Sequence, residues 1–287
     1  MGVPDVSIEP GCIYVVATPI GNLGDLSARA AQCLSEVGII AAEDTRRTRQ
    51  LLQHLGVDKP LLSLHEHNER GRIDGLAKRL ERGESVALVS DAGTPLISDP
   101  GFPVVRALAK RGFRIVPIPG ACSLIAALCA AGLPTDRFLF EGFLPARQAA
   151  RRQLLCSLAA QPRTLVFLET AKRIRNSLQD MEVAFGADRE VVLARELTKL
   201  YEEFLRGTVR ELRSLLESEP NRCRGEFVVL VGGATEVNAK LDDARDLMTA
   251  LVAELPVSRA SAVAARATGL SRNDLYRLGL ELTRGQT

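Results

Sequence analysis

Tryptophan is absent from the 287 residues and aromatic side chains make up only 4% of them, so stacking of single-stranded bases on aromatic rings is excluded as the main mode of recognition. Histidine occurs only as His54, His65 and His67. The six cysteines (Cys12, Cys33, Cys122, Cys129, Cys156, Cys223) include no CxxC pair, which leaves little material for a metal centre. Most of them sit in apolar segments, where a free thiol behaves as a small hydrophobe, and reduced, mainly structural cysteines are expected. Neither sign of charge dominates: 37 Lys and Arg stand against 35 Asp and Glu, a net charge of +2, so nucleic-acid binding has to be argued from local clusters. Neither G-x-G-x-x-G nor G-x-x-x-x-G-K-[ST] occurs, which withdraws support from nicotinamide and ATP chemistry. Ahead of the first strand-like run there is only MGVPDVSIEP, with no basic start and no apolar stretch long enough for a signal peptide or membrane span. A cytoplasmic location and no membrane partner are expected. Neither a repeat of solenoid period nor a low-complexity tract is visible.

What is present is a chain 46% hydrophobic, long enough for about two domains and a sizeable core. Short β-branched runs alternate with helix-like segments: CIYVVAT, then SARAAQCLSEVG; IIAAED, then TRRTRQLLQHLG; SVALVSD, then GFPVVRALAKRG; FRIVPIP, then GACSLIAALCAAG. That order predicts an α/β domain with a largely parallel sheet. Ser27 and Thr45 are suitable N-caps, while Gly38, Gly56, Gly83 and Gly112 fall where C′ residues belong. After Pro134 the texture changes to FLFEGFLP, a basic helical stretch, TLVFLE, another helix, EVVLARE and EFVVLVGG, a second sheet with mixed strand directions. From about Asn238 only helical segments follow. The boundary between the sheets is expected near Pro117 to Gly120, giving lobes 1–118 and 119–237 and a helical appendage 238–287.

Ligands of open parallel sheets bind beyond the carboxyl ends of the strands. Those positions read TPIGNLGDLS, EDTRRT, SDAGTPLISDPG and PGACS, each rich in glycine, proline and short polar side chains. Any one of them serves as an ordinary turn, but four at successive strand ends suit a ligand approached closely by backbone amides and carbonyls. Together VATPIGNLGDLS, AAEDTRRT, SLHEHNE, LVSDAGTPLISDPG and IPGACSLIAAL resemble the bacterial small-subunit ribosomal RNA cytidine 2′-O-methyltransferases, a branch of the tetrapyrrole-methylase superfamily. The similarity runs from about residue 11 to 234 and continues more weakly into the C-terminal helices.

The resemblance implies two α/β lobes of the tetrapyrrole-methylase type, a homodimer, and S-adenosylmethionine folded in the cleft between the lobes. By position, Pro19 would face this cofactor. Val89, Ser90, Asp91 and Thr94 match the loop that holds its methionine and ribose portions, and Cys122 and Ser123 follow the Pro119-Gly120 turn. Leu168 or Glu169, with Glu196, would complete the adenine pocket. Ser90-Asp91-Ala92 stands where tetrapyrrole methylases usually have Gly-Asp-Pro, which favours the ribosomal branch. The resemblance also places Asp44 where a carboxylate faces the substrate, making it the first choice for general base, with Glu43 as fallback. Asp44 or Thr45 can equally cap the helix that follows, and the two roles can coexist.

His65 and His67 flank Glu66 at a spacing that on an extended strand sets both imidazoles on one face. A metal site, a polar position at the edge of the site, and substrate contact or acid–base assistance by His65 all stay open, although sulfonium methyl transfer needs no Lewis acid. Basic residues cluster in three places: Arg46, Arg47 and Arg49; Arg147, Arg151 and Arg152; Lys172, Arg173 and Arg175. A solvated helix face is the default for such runs. The first adjoins the expected active site, where guanidinium groups suit RNA phosphate. In the tail, VSRASAVAARATGLSRNDLYRLGLEL resembles a helix-turn-helix with a turn at Thr268-Gly269-Leu270 and a cap at Ser271. It offers either RNA contact through Arg259, Arg266, Arg272 and Arg277 or packing and dimer support. The expected partner is small-subunit ribosomal RNA, free or in the assembled subunit. A methyltransferase of tetrapyrrole precursors and a non-catalytic RNA-binding protein with a retained cofactor cleft are the competing readings.

Overall fold

The computed structural model describes residues 8–234 and 244–284. By internal compactness the chain divides into two units, Met1–Ala126 with Glu196–Glu202, and Ala127–Arg195 with Glu203–Thr287.

In the first unit β1 (Ile13–Val16), β2 (Ile39–Ala42), β3 (Leu61–Ser63), β4 (Val86–Val89) and β5 (Ile115–Ile118) form a sheet of order β3-β2-β4-β1-β5, parallel at every pairing. Parallel neighbours need crossovers, and α1 (Ala28–Glu36), α2 (Thr45–His54), α3 (Glu69–Glu81) and α4 (Phe102–Lys110) supply them. Successive strand residues point to opposite faces. Tyr14, Val16, Ile40, Ala42, Ala87 and Val89 therefore pack in one cluster with Ala30 and Leu34 of α1 and Leu52 of α2. Ile13, Ile39, Ala41, Val86 and Leu88 pack in another with Leu76 and Leu80 of α3 and Val104 and Leu108 of α4. With both faces covered, β2 and β4 are buried throughout, which is why they read as unbroken apolar runs. All five strands deliver their carboxyl ends, Val16, Ala42, Ser63, Val89 and Ile118, to one edge of the sheet.

Capping follows the sequence in α1, where the Ser27 hydroxyl accepts from the Ala30 amide at 3.1 Å. For α2 the cap is Asp44 and not Thr45, which is the first helical residue. Gly56, Gly83 and Gly112 take left-handed φ of +67°, +81° and +83° just beyond α2, α3 and α4, a conformation that favours glycine.

The second unit carries β6 (Phe138–Phe143), β7 (Thr164–Thr170), β8 (Glu190–Arg195), β9 (Glu203–Thr208) and β10 (Glu226–Val231) in the order β6-β7-β10-β8-β9. The β6–β7 pair is parallel and the other pairs are antiparallel, the mixed sheet expected. Helix α5 (Ser123–Ala131) carries the chain into this unit, and α6 (Gln148–Ser157), α7 (Ile174–Phe185) and α8 (Val209–Ser218) pack on one face of its sheet around Phe167, Leu178, Met181, Leu193, Leu212 and Val229. The basic run opening α6 is divided, with Arg147 exposed and the other two arginines turned to a buried carboxylate. Arg151, 4% exposed, meets the fully buried Asp180 of α7 at 2.6 Å, and Arg152 reaches the other carboxylate oxygen at 2.6 Å.

Three further helices, α9 (Arg245–Glu254), α10 (Val257–Thr268) and α11 (Arg272–Arg284), enclose a small core of Met248, Ala260, Ala264, Leu275 and Leu278. The turn between α10 and α11 passes through Gly269 at φ +72°, and the Ser271 hydroxyl accepts from the Asn273 amide. Residues 238–243 and 285–287 of the expected appendage lie outside the described residues. Among the described residues no helix is long and apolar enough to cross a membrane.

Candidate active site

The loops after β1, β2, β4 and β5 are joined by direct bonds in the first unit. Thr18 and Gly93 exchange backbone hydrogen bonds of 2.9 and 3.0 Å, which brings Pro19, half-buried, beside the SDAGTP loop. Thr18 also donates its hydroxyl to the Ser90 carbonyl, and Thr94 donates to the Ala121 carbonyl at 3.1 Å. A reciprocal clasp links the loops after β2 and β4: the Asp44 amide donates to Asp91 Oδ1 at 2.9 Å, and the Asp91 amide donates to Glu43 Oε2 at 3.3 Å. Arg47 closes the clasp from α2, 3.3 Å from Asp91 Oδ2. Each oxygen of the Asp91 carboxylate thus has one partner within the unit, which fixes the loop, and the loop offers a ligand its backbone, the exposed Ala92 and the accepting capacity left on the 25% exposed Asp91 side chain.

Asp44 is held as a cap. Its Oδ1 accepts from the Arg46 amide at 2.8 Å, and its two oxygens take the Arg46 guanidinium at 3.1 and 2.7 Å. Those bonds from the Arg46 side chain and amide lower its pKa to about 2, which makes it a weak proton acceptor. Glu43 differs. Burial pushes its pKa up, the Asp91 amide pulls it down and the Asp91 charge adds to the rise. Asp99, near the end of the SDAGTPLISDPG loop, lines a pocket of about 380 Å³ with Glu43, Glu66 and Phe102. Burial first, then the charge of Glu43, raises its pKa to about 6, against a hydrogen bond from Ser90. Sequence reasoning missed Asp99. The loop was marked, but burial of a carboxylate beside two others exists only once β2 and β4 are adjacent. Backbone strain accumulates in the same loop, where Leu96 and Ser98 have φ of +73° and +64°.

The His65 region departs from the extended reading. Strand β3 ends at Ser63, residues 66–68 turn, and His65 Nε2 lies 3.0 Å from Asn68 Nδ2 while the His65 and His67 rings stand edge to face at 6.0 Å. After β5, Cys122 and Ser123 lie half-buried at the start of α5, behind the exposed Pro119 and Gly120. Glu196 sits in a second strained segment, with φ of +50° there and +65° at Thr198, and pairs with Lys199 at 2.9 Å. In the second unit Leu168 and Glu169 face opposite sides of β7. The Glu169 carboxylate is 1% exposed and consumed by Arg173 at 2.7 Å and the Ser177 hydroxyl at 2.6 Å, whereas Leu168 is half-buried on the other face. Arg173 is therefore structural, as is Arg175, which donates to the Leu216 carbonyl. Arg46, Arg47 and Arg49 are exposed on α2, and Arg259, Arg266, Arg272 and Arg277 are exposed on α10 and α11, where Arg277 pairs with Asp274 at 2.9 Å.

A parallel sheet with linked glycine-rich loops at its carboxyl edge, followed by a mixed sheet, is the construction of a class, and the chain belongs to it. Residues 12–213 match the family described as Tetrapyrrole (Corrin/Porphyrin) Methylases. Residues 238–283 match the RsmI C-terminal HTH domain, in keeping with the helix-turn-helix texture of the tail. More particularly, the chain is 52% identical over 268 residues, 93% of its length and 98% of the relative's, to the Ribosomal RNA small subunit methyltransferase I of Xylella fastidiosa. The proteins of that description from Pseudomonas aeruginosa and Escherichia coli O157:H7 are 51% and 48% identical, over 96% and 94% of this chain and 98% and 95% of their own. Among solved structures, a cobalt precorrin-4 methyltransferase aligns with TM-score 0.59 at 18% identity, covering 77% of this chain and 95% of that one. The uroporphyrin-III C-methyltransferase of Thermus thermophilus complexed with S-adenosyl homocysteine aligns with TM-score 0.52 at 18% identity, over 77% and 97%. At these identities the two structures show a shared fold.

Proposed function

We infer that the chain is an S-adenosylmethionine-dependent methyltransferase acting on small-subunit ribosomal RNA, with a cytidine ribose 2′-hydroxyl as the acceptor. The observation that carries this reading is near-full-length identity to relatives described as ribosomal RNA small subunit methyltransferase I, joined to intact EDTRRT and SDAGTP loops that bond to one another. The donor set fits the cofactor. Backbone groups of Val89, Ser90, Asp91 and Thr94 and of the small-residue loop through Cys122 and Ser123 suit its polar atoms, with Pro19 and Glu196 in the same unit. Of the two candidates in the second unit, Leu168 is preferred to Glu169, whose carboxylate is already spent on Arg173. Bound S-adenosylmethionine supplies an electrophilic methyl group on a sulfonium.

The chain's own part is alignment and proton removal. Asp99, with Glu43 beside it, accepts the proton of the ribose hydroxyl, since a carboxylate of pKa about 6 is better matched to a neutral solution than Asp44 at about 2. Asp44 and Asp91 position the two loops. Arg46, Arg47 and Arg49, with Arg259, Arg266, Arg272 and Arg277 on the tail helices, contact RNA phosphate. The division of labour follows residues 1–118, 119–237 and 238–287, and the protein works in the cytoplasm as a homodimer on RNA or the assembled small subunit. Mapping ribose methylation in small-subunit RNA with and without the protein tests the reading: one cytidine loses its mark when the protein is missing. A full set of marks without it, or no calorimetric binding of S-adenosylmethionine, overturns the reading.

A further inference from the structure

A second pocket of the first unit, about 340 Å³, opens between the loop after β1 and the face of α2, beside Ser90 and Asp91. Its walls include Leu23, Arg47, Thr48, Gln50 and Leu51. We propose that this pocket holds one ribonucleotide of the RNA substrate, with Thr48 and Gln50 meeting the polar edge of its base and Arg47 its phosphate. The proposal rests on the reading of the chain as an RNA methyltransferase.

Thr48 singles the pocket out. It is only 5% exposed, its hydroxyl has no hydrogen-bond partner among the described residues, and the oxygen is not shut off from solvent, so its bonding capacity is open to a ligand. Thr18 and Thr164, by contrast, already donate to the Ser90 and Pro134 carbonyls, and Thr198, whose hydroxyl is both buried and unpartnered, does not line this pocket. Arg47 is positioned by Asp91 at 3.3 Å and remains 65% exposed, so its other donors face outward in a fork that suits phosphate. Leu23, 47% exposed, and the half-buried Leu51 give the aliphatic walls that a base face needs in a chain without tryptophan. The volume falls at the small end of ligand pockets, about 300–1,000 Å³, which suits one nucleotide better than a helical segment.

Thr48→Val tests this by removing the hydroxyl and keeping the bulk. The variant should melt no lower than wild type and bind S-adenosylmethionine unchanged, while its KM for small ribosomal subunits rises roughly five- to tenfold, the scale of one lost hydrogen bond. Cytidine 5′-monophosphate should shift the NMR signals of α2 in wild type and need roughly five- to tenfold more ligand to do so in Thr48→Val, and inorganic phosphate alone should bind more weakly. Gln50→Ala provides the second variant and should raise KM in the same way. Unchanged KM in both variants, with wild type methylating subunits, overturns the pocket and leaves the methyltransferase reading standing. Phosphate binding as well as the nucleotide overturns the nucleotide assignment. A wild type that transfers no methyl group to subunits overturns the methyltransferase reading, and this inference with it.

Discussion

At the scale of single residues, the two carboxylates that compete for the proton are separated by their surroundings. Asp44→Asn keeps a side-chain oxygen for the Arg46 amide, so the helix stays capped and single-turnover methylation should fall by less than about tenfold. Asp99→Asn should lose about 10²-fold or more with S-adenosylmethionine affinity unchanged, the usual scale for a positioned base. The reverse ranking would return the role to Asp44. Asp99 also has a pH signature. Its folded-state pKa, about 6, lies above the ordinary 3.8, so the folded protein holds the proton more tightly than the unfolded chain. Its favourable contribution is complete below about pH 4 and is lost as pH rises through about 6. Asp99→Asn should therefore leave the Tm unchanged near pH 4 and raise it near pH 8, where the stability gained is roughly 1 kcal/mol once screening of this partly exposed group is counted. A higher Tm at pH 4 and none at pH 8 would contradict it.

Elements show what was legible in the sequence and what was not. β2 and β4 announce themselves because both faces are covered, and the loops behind them announce themselves by small and polar residues crowded after apolar strands. Two strands gave no such signal: β3 is only Leu61–Ser63, and β9, EFLRGT at the sheet edge, carries an exposed Arg206 in mid-strand. The basic runs misled for a related reason. Sequence shows guanidinium groups but not the partners that bury them, and Arg151 turns inward because Asp180 lies on the neighbouring α7. At Asp180 burial pushes the pKa up, but bonds from Arg152, Arg151 and Gln148 outweigh it and the net shift is downward. Asp180→Ala strands the buried Arg151 and should cost about 3–5 kcal/mol in urea unfolding. A loss under about 1 kcal/mol would mean that water reaches this pair.

For the whole molecule, charge is nearly balanced at +2, so the proposed RNA contact rests on local clusters, and the exposed arginines of α2 and of α10 and α11 are the ones to test. Replacing Arg46 and Arg47 together should lower the slope of log affinity against log salt by about 2, as two phosphate contacts are lost. Deleting residues 238–287 should weaken RNA binding and leave S-adenosylmethionine binding intact, because the tail helices enclose their own core. A collapse of both would make the tail part of the catalytic body. The compact units have a consequence for synthesis. Residues 196–202 belong to the first unit although β6, β7 and β8 of the second precede them in the chain. A ribosome making this protein therefore cannot release a finished first unit and then begin the second, as a bead-like chain would allow. The first unit waits, incomplete by one segment, until residue 202 has emerged, and any truncation before that point yields a fragment lacking part of each half.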